Sequence, residues 1–441
     1  MHRLFQFLNL SYDNKKNRYY SFLLKLELLF TLVLLFVFPF GIDFLPYLIW
    51  MIGLAWLFKG GYKTIKLTLN DKGNSIILVF ILTFYILHLI GFIYTDNIHE
   101  GLLDLQVKLS LILFPIFLFR GDNLYHKNFN TLLSAFVAGT IISAVTCYLV
   151  ALYHTIQIEN NSITFNLHPP EEYQLTWFAY KYFSLFHHPS YFATYLILSL
   201  SVFIYRIVDK SHSGRQWKYF NIAGIIFISV TLFIISSRTG ILTWGIILIY
   251  FFVKEISPRK RIIMNWLYLF SLIILTGIIL SLTLWEKRFQ SIQSELSSRY
   301  NPEEGIEIGS AGLRLILWDE ALTLIKSNWI FGIGPGDVKD ELHKRAIKEN
   351  FEQVAEKNLN IHNQYLETFL GLGLPGILLL IALFLIPLIY KPGMNHYIFP
   401  YFLLIISINF IFESMLDRLG GVAFFSFFYS LFVFTYRNYQ K

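Results

Sequence analysis

The sequence predicts an all-α, polytopic integral membrane protein of about 12 transmembrane helices, with one large outer loop before the last three. Three observations predict this. Of 441 residues, 55% are hydrophobic and only 15% are charged, whereas a soluble domain carries about a quarter of its residues as charges. The apolar residues gather in stretches of roughly 17–25, the length a helix needs to cross a hydrocarbon core about 30 Å thick. Those stretches do not alternate polar with apolar, as the strands of about ten residues in a membrane barrel would. A chain in lipid must also satisfy its own backbone groups, which a helix does.

In order, the expected helices are 22–40, 43–59, 75–94, 102–120, 130–154, 190–208, 218–236, 240–254, 262–284, 368–390, 396–414 and 420–437. The first is too long for a signal-peptide core and no small-residue cleavage site follows it, so it reads as a retained anchor. The fourth carries Lys108 two turns inside, with Asp104 one turn before it on the same face. A charge at that depth faces a partner or a polar cavity. The two readings are a structural Asp104–Lys108 pair and a phosphate contact near the outer leaflet. Cys147, the single cysteine, lies in the fifth helix and reads as inert packing, without a partner for a disulfide. Segment 155–189 holds a Pro pair, Glu171, Glu172 and many aromatics, a composition suited to the bilayer interface. "HHPSY" (His187, His188, Pro189, Ser190, Tyr191) then opens the sixth helix. Adjacent histidines on a helix point in different directions and no Cys or carboxylate cluster accompanies them, so a zinc site is not expected.

The seventh and eighth helices are joined by "SSRTG", which places Arg238 at a helix boundary. An Arg there either anchors by snorkelling to the headgroups or offers a rigid fork of donors to phosphate oxygens. Segment 286–361 is the one extramembrane piece large enough for local structure. Within it "GLRLILWDEALTLIKSN" spaces Leu313, Ile316, Leu317, Trp318 and Leu324 among polar positions, which suits an amphipathic helix lying on the membrane. "GIGPGD" at 332–337 must turn, a charged helical stretch is expected from about Asp337 to Lys357, and the whole segment reads as a lid over the membrane core. The expected division is 1–285 with helices 1–9, 286–361 as the loop with amphipathic helices, and 362–441 with helices 10–12.

The formal charge of +7 is a topology signal. With the N-terminus inside, more than half of the 36 Lys and Arg fall at cytoplasmic ends and loops, among them Lys15, Lys16, Arg18, Lys63, Lys66, Lys72, Lys254, Arg259, Lys260 and Arg261. The short outer loops hold Lys181, Arg238 and Arg418. This bias places both termini in the cytoplasm, and a nucleic-acid partner is not expected. Walker loop, Rossmann fingerprint and Ser-centred elbow are absent from the sequence.

Arg238, Arg314 and His362 all fall where the helices meet water on the outer side. Arg314 is either a surface charge or part of an anion site, since Ser310, Ala311 and Gly312 just before it free backbone amides at a helix N-terminus. His362 is either a satisfied polar residue or a proton acceptor, an imidazole having an ordinary pKa of about 6.5. Tyr365 or Glu367 is near enough in sequence to orient its ring, and "GLGLPG" at 371–376 lets the helix bend or pack closely.

Taken together, these residues resemble the O-antigen ligase and polymerase superfamily of bacterial membrane glycosyltransferases. "SSRTG" is similar to the family's Arg–Ser/Thr–Gly turn, "GLRLILWDEALTLIKSNWIFGIGPGD" to its loop helix and Gly-rich turn, "HNQYLETFLGLGLPG" to its His–Asn segment, and "HHPSYF" to a run found in one branch. The resemblance implies transfer of a glycan from undecaprenyl diphosphate to an acceptor such as lipid A-core, without metal or nucleotide cofactor. It implies that Arg238 and Arg314 hold the diphosphate, that His362 is the essential histidine, and that Lys108, Asn363, His188 and Tyr191 contact substrate. It also implies an inner-membrane location, a periplasmic loop and a site facing the periplasm. A polymerase, or a transferase acting on protein or cell-wall polymer, meets the same requirements. From a different class, a lipid-linked glycan flippase also has about twelve helices, but such folds show related halves and midplane charges, which this sequence does not.

Overall fold

The computed structural model describes residues 18–41, 43–63, 65, 69, 71–119, 124–159, 162–169, 176–209, 214–256, 310–349, 351, 359–391 and 398–435. The helix expected at 262–284 lies outside them, as does 286–309. The described elements are α1 (Arg18–Val37), α2 (Leu45–Phe58), α3 (Lys72–Ile93), α4 (Ile98–Lys108), α5 (Ser110–Leu118), α6 (Phe129–Thr155), β1 (Ile156–Glu159), β2 (Ser162–Phe165), α7 (Pro189–Val208), α8 (Arg215–Ile235), α9 (Arg238–Phe251), α10 (Ser310–Asn328), α11 (Val338–Lys348), α12 (Gln364–Tyr390), α13 (Phe399–Phe412) and α14 (Leu419–Thr435). Seven helical segments among the described residues are long and apolar enough to cross a membrane.

Helix starts follow the sequence chemistry of capping. Asp71 accepts from the Asn74 amide at 2.9 Å, Asn97 from Glu100 at 3.1 Å, and Ser237 from Gly240 at 3.2 Å. One expected helix is two: the segment expected as 102–120 runs as α4 and α5, which meet at Leu109. The all-α architecture holds, with one local exception. β1 and β2 pair antiparallel, from Ile156 opposite Phe165 to Glu159 opposite Ser162. The sequence "IQIENNSITF" sets β-branched residues on both sides of an Asn pair, a local hairpin signal that the aromatic richness of the segment obscured.

Most of the long helices bury one side and leave the other for lipid, whereas α7 is buried over 78% of its apolar window and nearly all of α14 is buried. These two form the interior. Rings of Phe136, Tyr195, Phe402, Phe424 and Phe428 pack edge-on or tilted between them. Between helices in lipid this close packing, rather than escape from water, holds the bundle together. α3 packs along α12, α5 along α14, and α7 against α8, α9 and α13.

Three features position the candidate site. First, α12 breaks at Gly373, whose φ is 65° and ψ −160°. Second, α10 lies on α12 and α11; its Ala321 and Ile325 are buried among Val338, Leu342, Ile361 and Leu370, and its Leu313, Ile316 and Leu317 beside Ala346. This corrects the expectation of a helix lying on the membrane: the apolar stripe is covered by protein. Third, α13 and α14 have 14 and 17 residues, about 21 and 25 Å at 1.5 Å per residue. The start of α12's partner is level with its end, where Gly73 meets Tyr390, and Lys391 there donates to the Val433 carbonyl near the end of α14 at 2.6 Å.

Candidate active site

Starts of α7, α9, α12 and α14 and the end of α13 share one end of the bundle, and the candidate residues gather there. His362 stands two residues before α12 in a left-handed conformation, φ 52°, uncommon for a residue with a side chain and frequent at functional sites. Its neighbours pin it. The Ile361 amide donates to Glu367 Oε2 at 3.3 Å, and the Ile361 carbonyl accepts from Trp318 Nε1 of α10 at 3.0 Å. Asn363 Oδ1 accepts from the Tyr365 and Leu366 amides at 3.0 and 3.1 Å. The Asn363 side chain, expected to touch substrate, thus caps α12.

Glu413, in the turn after α13, joins two of the expected residues. Its Oε2 lies 3.2 Å from His362 Nδ1, and its Oε1 accepts from Arg314 Nη2 at 3.1 Å. The Glu413 side chain is 7% exposed and that of His362 25%. Burial pushes the Glu413 carboxyl upward, but the hydrogen bond from His362 and the charges of Arg314, His362 and His188 outweigh it, holding the carboxyl below its usual range. An ionised carboxylate only accepts, so Nδ1 carries the hydrogen of that contact and Nε2 is the ring nitrogen turned away from Glu413. Neither neighbour expected to orient the ring does so. The Tyr365 hydroxyl donates to the Ser407 carbonyl at 3.1 Å, and Glu367 accepts from Ser414 Oγ at 3.1 Å.

A cavity of about 250 Å³ opens beside this pair, lined by His187, His188, Tyr191, Tyr195, His362, Glu413 and Arg418, with Phe186, Asn360 and Gly420. His188 and Tyr191 therefore face the same space as His362. Burial pushes the His188 imidazole down, and its Nδ1 accepts from the Ser190 amide at 3.4 Å. Two buried polar atoms here, the Tyr195 hydroxyl and Arg314 Nε, have no hydrogen-bond partner among the described residues.

Arg238 does not line this cavity. It opens α9 at the same end, after the left-handed Ser236 (φ 53°) closes α8. Two residues on, a Cβ at Gly240 would lie 2.6 Å from Ala193 Cβ, so the start of α9 is tight against α7 one turn past His188. Lys108 belongs to a different place. It pairs with Asp104 and lies 3.8 Å from Asp417, and Asp104 also takes His88 Nδ1 at 3.0 Å. These line a second cavity of about 260 Å³ with Gln364, Glu367 and Lys339. The turn 413–418 separates the two cavities, with Glu413 and Arg418 on one side and Asp417 on the other.

Glu413, Arg418 and Tyr195 were not among the expected residues. The signal for Glu413 was present: an ionisable residue ending the apolar run "SINFIFES" is a functional candidate by its cost alone.

Residues 223–381 match the family model described as O-antigen ligase. That span runs from within α8 to the middle of α12 and contains Arg238, Arg314 and His362. The chain is also 27% identical over 379 residues to an uncharacterized protein of Haemophilus influenzae, covering 82% of each chain. With its apolar helices and this match, the chain is a bacterial membrane protein whose residues 223–381 are similar to the O-antigen ligase family.

Proposed function

We propose that the chain transfers a glycan from a polyprenyl diphosphate, undecaprenyl diphosphate in a bacterium, to a hydroxyl of an acceptor such as lipid A-core, at a site facing the periplasm. The acceptor oxygen attacks the anomeric carbon from the face opposite the diphosphate, inverting that carbon. The bond from anomeric carbon to phosphate oxygen breaks and the diphosphate leaves with its electron pair. The acceptor's proton passes to His362 Nε2. Glu413 fixes the ring and stabilises the imidazolium that forms, as a carboxylate behind a catalytic histidine does. Arg314, Arg418 and Arg238 stabilise charge building on the diphosphate in a water-poor site. His188, Tyr191 and Tyr195 contact the substrate.

The observation that carries this reading is the Arg314–Glu413–His362 bridge at the edge of the cavity. The test is genetic and then biochemical. Deleting the gene in its own bacterium should leave long glycan on the carrier lipid, and complementation with His362→Ala should fail to clear it. Single repeat units on the carrier would identify a polymerase instead, and an unchanged glycan profile would overturn both. Purified protein should release carrier diphosphate when it turns over, which a flippase would not.

A further inference from the structure

α10 ends at Asn328, and the chain turns through Trp329, Ile330 and Phe331 before Gly332. All three side chains face outward; Trp329 is 49% exposed and Phe331 71%. Three consecutive large apolar residues on an exposed turn form a patch that needs a partner.

The turn is held rigidly. Leu374 N donates to the Trp329 carbonyl at 2.8 Å, Ile333 N to Leu370 at 2.9 Å and Gly334 N to Gly371 at 3.1 Å. The Tyr94 hydroxyl donates to the Phe331 carbonyl at 2.6 Å. The segment therefore lies in the break of α12, level with the last turn of α3, where Gly91 meets both Pro335 and Leu372.

What surrounds the patch decides its partner. Ile93, Tyr94, Ile98 and Leu374 are exposed; the first three stand at the ends of α3 and α4 and Leu374 at the break of α12, on apolar helices whose outward sides suit lipid. The patch continues that surface without interruption, through the Tyr94–Phe331 and Leu374–Trp329 hydrogen bonds. Trp and Tyr side by side at a helix end also match the bilayer interface. We propose that Trp329–Phe331 is a wedge seated in the lipid of the bilayer interface. It anchors α10 and α11 to the membrane at one point, although the apolar stripe of α10 itself is covered by protein.

The test needs no substrate and does not depend on the proposed chemistry. Phe331→Cys, in a Cys147→Ala background, is labelled with a polarity-sensitive fluorophore and placed in phosphatidylcholine nanodiscs. Acyl chains brominated near the headgroup should quench the label at least twofold, and aqueous iodide should leave it nearly unchanged. Intrinsic fluorescence gives a second reading with no label: wild type should show a bromolipid-quenched component that Trp329→Phe lacks. Quenching by iodide alone would overturn the proposal and mark a surface open to water or to a soluble partner. Protection from both quenchers would also overturn it, in favour of contact between copies.

Discussion

One carboxylate serves two partners here, and which of its properties matters can be separated by substitution. Glu413→Gln keeps the shape and the hydrogen bond to Arg314 but removes the charge behind His362. If Glu413 orients and charges the base, kcat for glycan transfer should fall about 10²-fold, the lower end of what a positioned base contributes, while KM changes little. A rise in KM with kcat unchanged would instead indicate a binding role. The pH dependence has a definite sign. The folded Glu413 pKa lies below its ordinary value, so its contact contributes stability fully above about pH 4.3. That stability is lost as pH falls through the lowered folded pKa. Thermal unfolding of wild type between pH 6 and 3 should therefore fall more steeply than that of Glu413→Gln. Arg314 and His362 were legible because their types and their place at a water boundary already suggest chemistry. Glu413 is 51 residues from His362, and only the fold pairs them. Lys108 was legible as an anomaly, and the structure realises its Asp104 pairing.

At the scale of elements, periodicity reported that α10 has a covered face but not what covers it. The same stripe suits a lipid surface or another helix; the glycines decided for protein. A Cβ at Gly373 would lie 2.2 Å from the Ile330 carbonyl oxygen, and one at Gly332 would lie 2.6 Å from the Gly371 backbone. Both also have positive φ. Gly373→Ala should thus cost about 1–3 kcal/mol of strain and lower the melting temperature in detergent. Gly245→Ala, in α9 with nothing within 4 Å of the new Cβ, should be neutral or raise it, since Ala favours a helix by up to about 1 kcal/mol. Equal losses in the two variants would argue against close contact at the α12 break. The break itself was readable in "GLGLPG"; that the turn after α10 lodges in it was not.

For the whole molecule, the turn 413–418 acts as a strut between two cavities. Lys108 ties it from one side through Asp417, and Ser414 ties it to Glu367. Lys108→Met removes a buried cation and leaves Asp104 facing Asp417, a change that should cost about 3 kcal/mol or more. Unfolding temperature in detergent checks this, and Lys108→Arg should recover part of the loss. A Lys108→Met variant as stable as wild type would show that the cluster does not brace the strut. Long apolar runs made the membrane bundle legible. The two polar pockets at one end were not, because each is assembled from three or more distant segments.

The shortness of α13 and α14 has a consequence for traffic. α14 ends level with the end of α12, where Lys391 meets Val433, yet α13 and α14 reach only about 21 and 25 Å, short of a core of about 30 Å. Glu413, after α13, and Arg418, before α14, therefore stand in a recess at the other end of these short helices. Under the proposed function, a prenyl-borne sugar would enter that recess sideways, its tail staying in the oily layer.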